Sequence, residues 1–410
     1  MTAFPAAPEP GVRAAPLWTA STTVLALMPV GMVIAHRSSP VFLVVSTLLA
    51  LIGVAVEGRP AAWLEHLRAA AMAPLGLAVL AFLAWSVASL GWSGAPSLSL
   101  HALGEFWLPV VSAALLALIL PERMPRWGLP LFAGMLALAC ALILADLATG
   151  LVWRRAVGLR WQTFIFNRPV LTCLVGLAPV LAFMAPRGGK AVAVGLGLLA
   201  LVWGTILRSD SGAAELGILV AALTATAAFI APRLTLAGAV VAVILVFATA
   251  PWHGAIGNRL IPAQVHAELA DSHSRDRIDI WTSFGSAIRA QPVLGGGFGV
   301  SPAMRDTPVA GQVPPAERTL LAVGHPHNAA VQVWAELGAV GALLAALILL
   351  LALRSLSRLP ALALAPSLAL MAAAAAVSIV GHGAWQGWWP AAIGAAIVWL
   401  RSAQPREAPR

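Results

Sequence analysis

The chain has 410 residues, 60% of them hydrophobic and only 10% charged, with a mean hydropathy of +0.88. No water-soluble domain of this length is so poor in charge, so composition excludes a soluble enzyme and predicts an all-α, polytopic membrane protein. The net charge of +9 is almost entirely arginine, Lys190 being the single lysine, and no soluble face interleaves basic residues as nucleic-acid binding would require.

The residues up to Pro16 are polar and proline-rich without a clear cleavable signal, so the first span is expected to remain in place. Apolar runs then fall at about 18–36, 40–56, 70–90, 103–120, 128–150, 169–185, 191–207, 213–230, 232–250, 327–353, 361–381 and 385–401. Twelve spans are therefore expected, with tilts or kinks at Pro29, Pro109 or Pro179. They divide the chain into 1–250 with nine spans, a loop region over 251–326, and 327–410 with three more. Trp18, Trp63, Trp92, Trp127, Trp153, Trp252, Trp388 and Trp389 flank these runs, as interfacial belts require. Cys140 and Cys173 lie inside separate apolar runs and have neither metal-site spacing nor a disulfide framework.

Arginines orient the spans. Arg59 and Arg68, Arg123 and Arg126, Arg187 and Lys190, Arg233, then Arg354 and Arg358 fall on alternate connections, and Arg401, Arg406 and Arg410 follow the last span. Connections 91–102 and 381–388 hold no Lys or Arg, so both termini are expected on the cytoplasmic side. Two outer segments break the rule. One carries Arg154, Arg155, Arg160 and Arg168 with Trp153 and Trp161; the other is the long 251–326 loop with Arg259, Arg275, Arg277, Arg289, Arg305 and Arg318. Pairing with Asp271, Asp276, Asp279 and Asp306 accounts for about half of them, and a guanidinium clamp on an anionic group for the rest. Arg208 ends a span on the same side.

Within 251–326, His266 to Arg289 is predicted as an amphipathic interfacial helix with Ile278, Trp281 and Ile288 on its apolar side. GGGFG at 295–299 is predicted as a flexible turn; no strand precedes it and no lysine follows, so it is not a nucleotide loop. Asp146, Glu105 and His382 fall near outer helix ends and are candidate supporting groups.

The stretch HPHNAAVQVWAELGAVGA, His325 to Ala342, concentrates the means of proton transfer against the membrane. Pro326 suits the first turn of a helix. Asn328, Gln332 and Glu336 then recur every four positions along one face, while Val331, Trp334 and Leu337 fall elsewhere. Gly338 and Gly341 allow a close backbone approach. Each part has a plain structural reading too, as an interfacial histidine, interhelical glue or simple packing. Intramembrane ionisable groups are costly and usually functional, so the combination points to a site. His-Pro-His offers metal donors, but the nearest acids, Glu317 and Glu336, lack ligand spacing, so no metal is expected.

The same stretch carries a resemblance. His327-Asn328, nine residues, Gly338, two residues, Gly341 resembles the signature of the bacterial O-antigen ligases, within the superfamily of those ligases, O-antigen polymerases and O-linked oligosaccharyltransferases. The blocks starting at Arg208 and spanning Arg277 to Gly299 resemble its other two blocks, so the likeness covers roughly 205 to 350. Arg155 followed by Leu159 matches the Arg-x-x-x-Leu motif of ligases. Ala342, where ligases often have Thr or Trp, and Asp-Ser-Gly in place of a Ser-Arg pair depart from the pattern.

The resemblance implies a metal-independent, inverting glycosyltransferase without cofactor, on the periplasmic face of the bacterial inner membrane. It would move polysaccharide from undecaprenyl-diphosphate-linked O-antigen to a sugar hydroxyl of lipid A–core oligosaccharide, with membrane lipids as its surroundings. His327 would be general base with His325 as alternative or diphosphate partner, and Asn328 would orient the base or the acceptor. Arg155, Arg160, Arg208 and Arg277 would take the leaving diphosphate, with Arg154, Arg275, Gln332 and Glu336 completing the substrate site. A polymerase, or a protein-directed oligosaccharyltransferase usually longer at its C-terminus, is the near alternative. A non-catalytic transporter would want charges through the mid-membrane helices, where Glu215 stands almost alone before the tenth span.

Overall fold

The computed structural model describes residues 13–58, 60–262, 264–265 and 274–403, and among these it is helical without strands. The helices are α1 (Ala15–Ala26), α2 (Met28–Ile34), α3 (Ser39–Val56), α4 (Pro60–Met72), α5 (Pro74–Ala88), α6 (Pro96–Arg123), α7 (Gly128–Ala148), α8 (Val152–Ala156) and α9 (Asn167–Met184). They continue with α10 (Gly189–Leu207), α11 (Gly212–Ile230), α12 (Pro232–Thr249), α13 (His253–Leu260), α14 (Ser274–Ala290), α15 (Ala329–Leu356), α16 (Ala361–Val380) and α17 (Trp388–Ala403). Arg59, His266, Asp271, Arg406 and Arg410 lie outside the described residues, so α14 is the described part of the amphipathic helix expected from His266.

Among the described residues ten helices are long and apolar enough to span a membrane, or eleven if the pair α1–α2, bent by 45°, counts as one. Pro29 in the first turn of α2 explains that bend, since its nitrogen cannot continue the α1 ladder. Pro109 stays inside α6 and Pro179 inside α9 without ending either. The twelfth expected span is shorter than its apolar run. α17 has 16 residues, about 24 Å at 1.5 Å per residue. The start of that run is drawn out of the helix because Trp385, Gln386 and Gly387 make polar contacts with three other elements.

α9 is the central helix, buried around most of its circumference, whereas α12 buries no residue. α7, α10, α16 and α17 pack around α9, and α11 runs along α16. The outward faces of α11 and α12 present Leu219, Leu223, Phe229, Leu234, Val241 and Leu245, a surface suited to lipid chains. At one end of the bundle Glu57 accepts from Arg123 at 3.1 Å, with Arg123 lying over Trp18. Because the spans alternate in direction, connections 35–38, 89–95, 149–166, 208–211, 250–328 and 381–387 share the opposite end. Every polar feature singled out from the stretch His325–Asn328 gathers there.

Candidate active site

Its foundation is a broken helix. α15 runs regularly to Leu337, then Gly338 takes φ 63°, ψ −162°, and the helix resumes at Ala339. A break inside an apolar bundle leaves carbonyls without amide partners, and each would cost several kcal/mol unpaired. Loop 291–299 and Trp85 of α5 supply the partners. Gly296 N–H donates to Ala335 O (2.9 Å), Gly297 N–H to Glu336 O (2.8 Å), Trp85 Nε1–H to Leu337 O (3.0 Å), and Ala339 N–H to Pro292 O (2.8 Å). Glycine is required at the break, because a Cβ on Gly338 would stand 2.1 Å from Val293 O. GGGFG is thus no flexible turn; it is a buried plug with positive φ at Gly295, Gly297 and Gly299.

Glu336 ties that plug down and faces no open space. Its fully buried carboxylate accepts from Ser301 Oγ (2.5 Å) and N–H (3.2 Å), Gln332 Nε2 (3.0 Å), Trp385 Nε1 (2.5 Å) and Gly299 N–H. Gln332 is also enclosed, its Oε1 accepting from Ala384 N–H at 2.8 Å. The expectation that Gln332 and Glu336 contact substrate is therefore corrected: their hydrogen-bonding capacity is spent on joining α15 to loops 295–301 and 381–387.

Asn328 caps α15, its Oδ1 accepting from Val331 N–H at 3.1 Å. One residue earlier His327 sits at φ 52°, in the left-handed region that branched or bulky residues avoid. Its Nδ1 lies 2.7 Å from Gly381 O, which can only accept, so Nδ1 carries the proton. Nε2 then holds the free lone pair, and among the described residues nothing bonds to it. The His325 ring lies tilted at 53° to that of His327, their centroids 4.1 Å apart. Its Nδ1 faces His327 N–H at 3.3 Å and its Nε2 faces Gln386 Nε2 at 3.4 Å. Gln386 is oriented by Trp388 Nε1 and Arg168 Nη2, which donate to its Oε1 at 3.0 and 3.4 Å. His382 meets the Trp388 ring edge-on at 4.8 Å.

These imidazoles are held neutral. Burial lowers His325 to about 4, helped by His327 and Arg168. Burial lowers His382 to about 3, helped by Arg168, His325, His327 and Arg277. His327 is also lowered, by burial first and then by Arg277, with the Gly381 bond opposing. His36, in the α2–α3 connection, falls to about 4 through burial and the charges of Arg168, Arg37, Arg160 and Arg154. The result is a row of neutral imidazoles in a strongly positive field, suited to accepting a proton beside an anion.

The arginines divide. Arg277, half-buried on α14, and Arg168, at the start of α9, act electrostatically on the histidines, and among the described residues no carboxylate ion pair claims either. Arg154 is corrected from clamp to brace: it is buried, donates to Asp146 at 2.9 Å and to Val33 O, and lies over Phe166. Arg275 is likewise committed, to Asp279 one turn along α14 at 3.3 Å. Arg155 stacks over Trp161 in a surface cleft of about 490 Å³ with Leu147, Gly150 and Phe164, and Arg160 lines an adjoining groove. Arg208 is exposed at the end of α10, in a turn whose Ala213 abuts Gly381. Of the supporting candidates, Asp146 holds Arg154, and Glu105 accepts from Gly387 N–H at 3.2 Å.

Sequence reasoning missed His253, whose Nδ1 accepts from Asn328 Nδ2 at 3.1 Å, and His36 with Arg37. The alternation of spans puts connection 35–38 at the site's end of the bundle, which was a usable signal; His253 is brought in by tertiary packing alone. Among the described residues no group of three His, Cys, Asp or Glu is arranged to hold a metal ion.

No curated protein matches the chain. Residues 196–346, which run from α10 through the plug to the second half of α15, match the family model described as O-antigen ligase. The match makes this segment similar to that family and leaves the helices before α10 and after α15 outside it.

Proposed function

We propose that this protein is an O-antigen ligase, which transfers preassembled polysaccharide from undecaprenyl diphosphate to a sugar hydroxyl of lipid A–core. The observation that carries the reading is the His327 ring, its Nδ1–H fixed on Gly381 O so that Nε2 is a neutral proton acceptor in the field of Arg277, with Arg168 acting on the neighbouring His325 and His382. The acceptor hydroxyl gives its proton to Nε2 as its oxygen bonds to the anomeric carbon. The bond from that carbon to the diphosphate oxygen breaks, and the electron pair leaves with the diphosphate. Attack opposite the leaving group inverts the anomeric centre. Arg168 and Arg277 stabilise the charge that develops there, without cofactor or metal. Arg155, Arg160 and Arg208, at the rim, meet the rest of the anionic or glycan headgroups.

His325 supports His327 and does not replace it, because donors face both its nitrogens while a neutral ring can accept at one only. The basic residues of the opposite end support an inner-membrane orientation with this site toward the periplasm. The test uses purified protein in nanodiscs with polyprenyl-diphosphate-linked polymer and lipid A–core supplied together. Polymer on the core is expected. Lengthening of the lipid-linked polymer alone would make the protein a polymerase, and glycan appearing only on an added periplasmic polypeptide would make it an oligosaccharyltransferase.

A further inference from the structure

His253 opens α13, just after the Ala250–Trp252 turn, and no motif points to it. Its surroundings form a hydrogen-bond chain with a single consistent direction. Val331 N–H donates to Asn328 Oδ1 at 3.1 Å, which fixes the amide and turns its Nδ2 toward His253 Nδ1, also at 3.1 Å. Nδ1 therefore carries no proton, and the ring's own N–H is on Nε2, 3.2 Å from Thr249 Oγ1. Thr249 spends its hydroxyl proton on Leu245 O at 2.7 Å, leaving its oxygen free to accept from Nε2–H. Along these links each donor meets an acceptor, and the Val246 backbone is a further hydrogen-bond partner of the ring.

The anchor behind this chain is rigid. Pro251 O accepts from Arg289 Nη1 at 2.9 Å, and Gly254 lies so close to α14 that a Cβ there would fall 2.3 Å from Thr282 Oγ1. From the same wall Trp281 Nε1–H donates to Pro326 O at 2.9 Å. Trp281 thus holds the backbone before His327, and His253 the side chain of the residue after it, with His327 between them at φ 52°. A left-handed non-glycine residue is strained and persists only where its surroundings over-determine it.

We propose that His253 is a positioning residue: through the Asn328 side chain it holds His327 in its left-handed conformation and so aims Nε2 at the acceptor hydroxyl. The inference rests on His327 being the base. His253 touches no substrate, so its loss acts on turnover and leaves the affinity for both substrates in place.

Three variants test it, each purified and compared at equal amounts of folded protein. His253→Leu removes the acceptor, His253→Gln sets an amide where Nε2 stood, and His253→Asn sets a carbonyl oxygen where Nδ1 stood. Leu and Gln are expected to lower kcat by about 10- to 100-fold, the usual loss when a group that orients another is removed. KM for donor and acceptor should stay unchanged, and Asn should recover most of the lost kcat. Adding His253→Leu to Asn328→Ala should cost nothing further, because both act through one bond. Asn no better than Gln, full additivity with Asn328→Ala, or a fall in melting temperature with kcat intact would each overturn the proposal. A His327→Ala enzyme with near-normal turnover would instead remove the base, an outcome separable from the other three.

Discussion

Two polar regions meet at the start of α15, and they treat their polar groups in opposite ways. Below, Gln332 and Glu336 are enclosed and fully partnered by the glycine plug and the 381–387 loop. Above, His327 keeps a free Nε2, and Arg168 and Arg277 have no ion-pair carboxylate among the described residues. A saturated network builds and an unsaturated one acts. The four-residue spacing of Asn328, Gln332 and Glu336 joined them in one stripe, but only hydrogen-bond accounting separates the cap, the joint and the anchor.

The largest effect should come from the open region. His327→Ala is expected to lower polymer transfer by about 10²- to 10⁴-fold, the range for a general base, with normal insertion and melting temperature. Transfer near the wild-type rate would erase the distinction between the two regions. The closed region should answer in stability instead. Gly338→Ala would put a Cβ against Val293 O at a positive φ, so folded yield and melting temperature should both fall sharply. Gly104→Ala, with nothing within 4 Å, is the control and should be neutral or slightly stabilising. Equal behaviour of the two glycine variants would mean that the break in α15 is not structurally required.

Charge and geometry can be separated at Arg277. Arg277→Ala and Arg277→Lys should each lower turnover by about 10²-fold, the scale of one lost transition-state donor, because lysine keeps the charge but not the fork. Full rescue by lysine would leave only a field effect.

Acidity probes the same region more gently. The unfolded chain titrates its histidines near 6.5, whereas folding holds His36 and His325 at about 4 and His382 at about 3. Between these values the unfolded state binds more protons, so stability is lost as pH falls from 6.5, the His36 and His325 shares levelling off below about 4 and the His382 share below about 3. His382→Gln should flatten that decline in melting temperature measured against pH. If His327 is the base as proposed, its lowered pKa should move the acid limb of activity below that of free imidazole in a rate–pH profile.

The fold was legible because hydropathy acts over whole spans, and the ten or eleven helices long enough to cross a membrane follow the apolar runs closely. The helix start at Asn328 was legible for the same reason, since a cap is a local interaction. Partnership was not. Nothing near Glu336 in sequence announces Trp385 or Ser301, and nothing near Arg154 announces Val33, because those distances close only when the helices pack. The short α17 has the same origin: its first apolar residues are used in polar contacts that hydropathy does not register.

The smallest expected effect is the sharpest test of that lesson, for it compares residues two positions apart. Arg275 and Arg277 lie on the first turn of α14 and read alike in sequence, both basic, both beside an aspartate, both on the outer loop. The helix separates them by about 200° of rotation. Arg275 projects to solvent and pairs with Asp279 on its own helix at 3.3 Å, an exposed pair worth a few tenths of a kcal/mol by the usual measure. Arg277 is turned inward, loses solvent, and places its charge against His327 and His382. Arg275→Ala should therefore keep turnover within about twofold and leave the melting temperature nearly unchanged, as exposed substitutions do. Measured beside Arg277→Ala in one transfer assay, the pair gives a ratio in which donor, acceptor and detergent effects cancel. A ratio near one would mean that the two side chains share a role, and that α14 does not present one face to the histidines and the other to water.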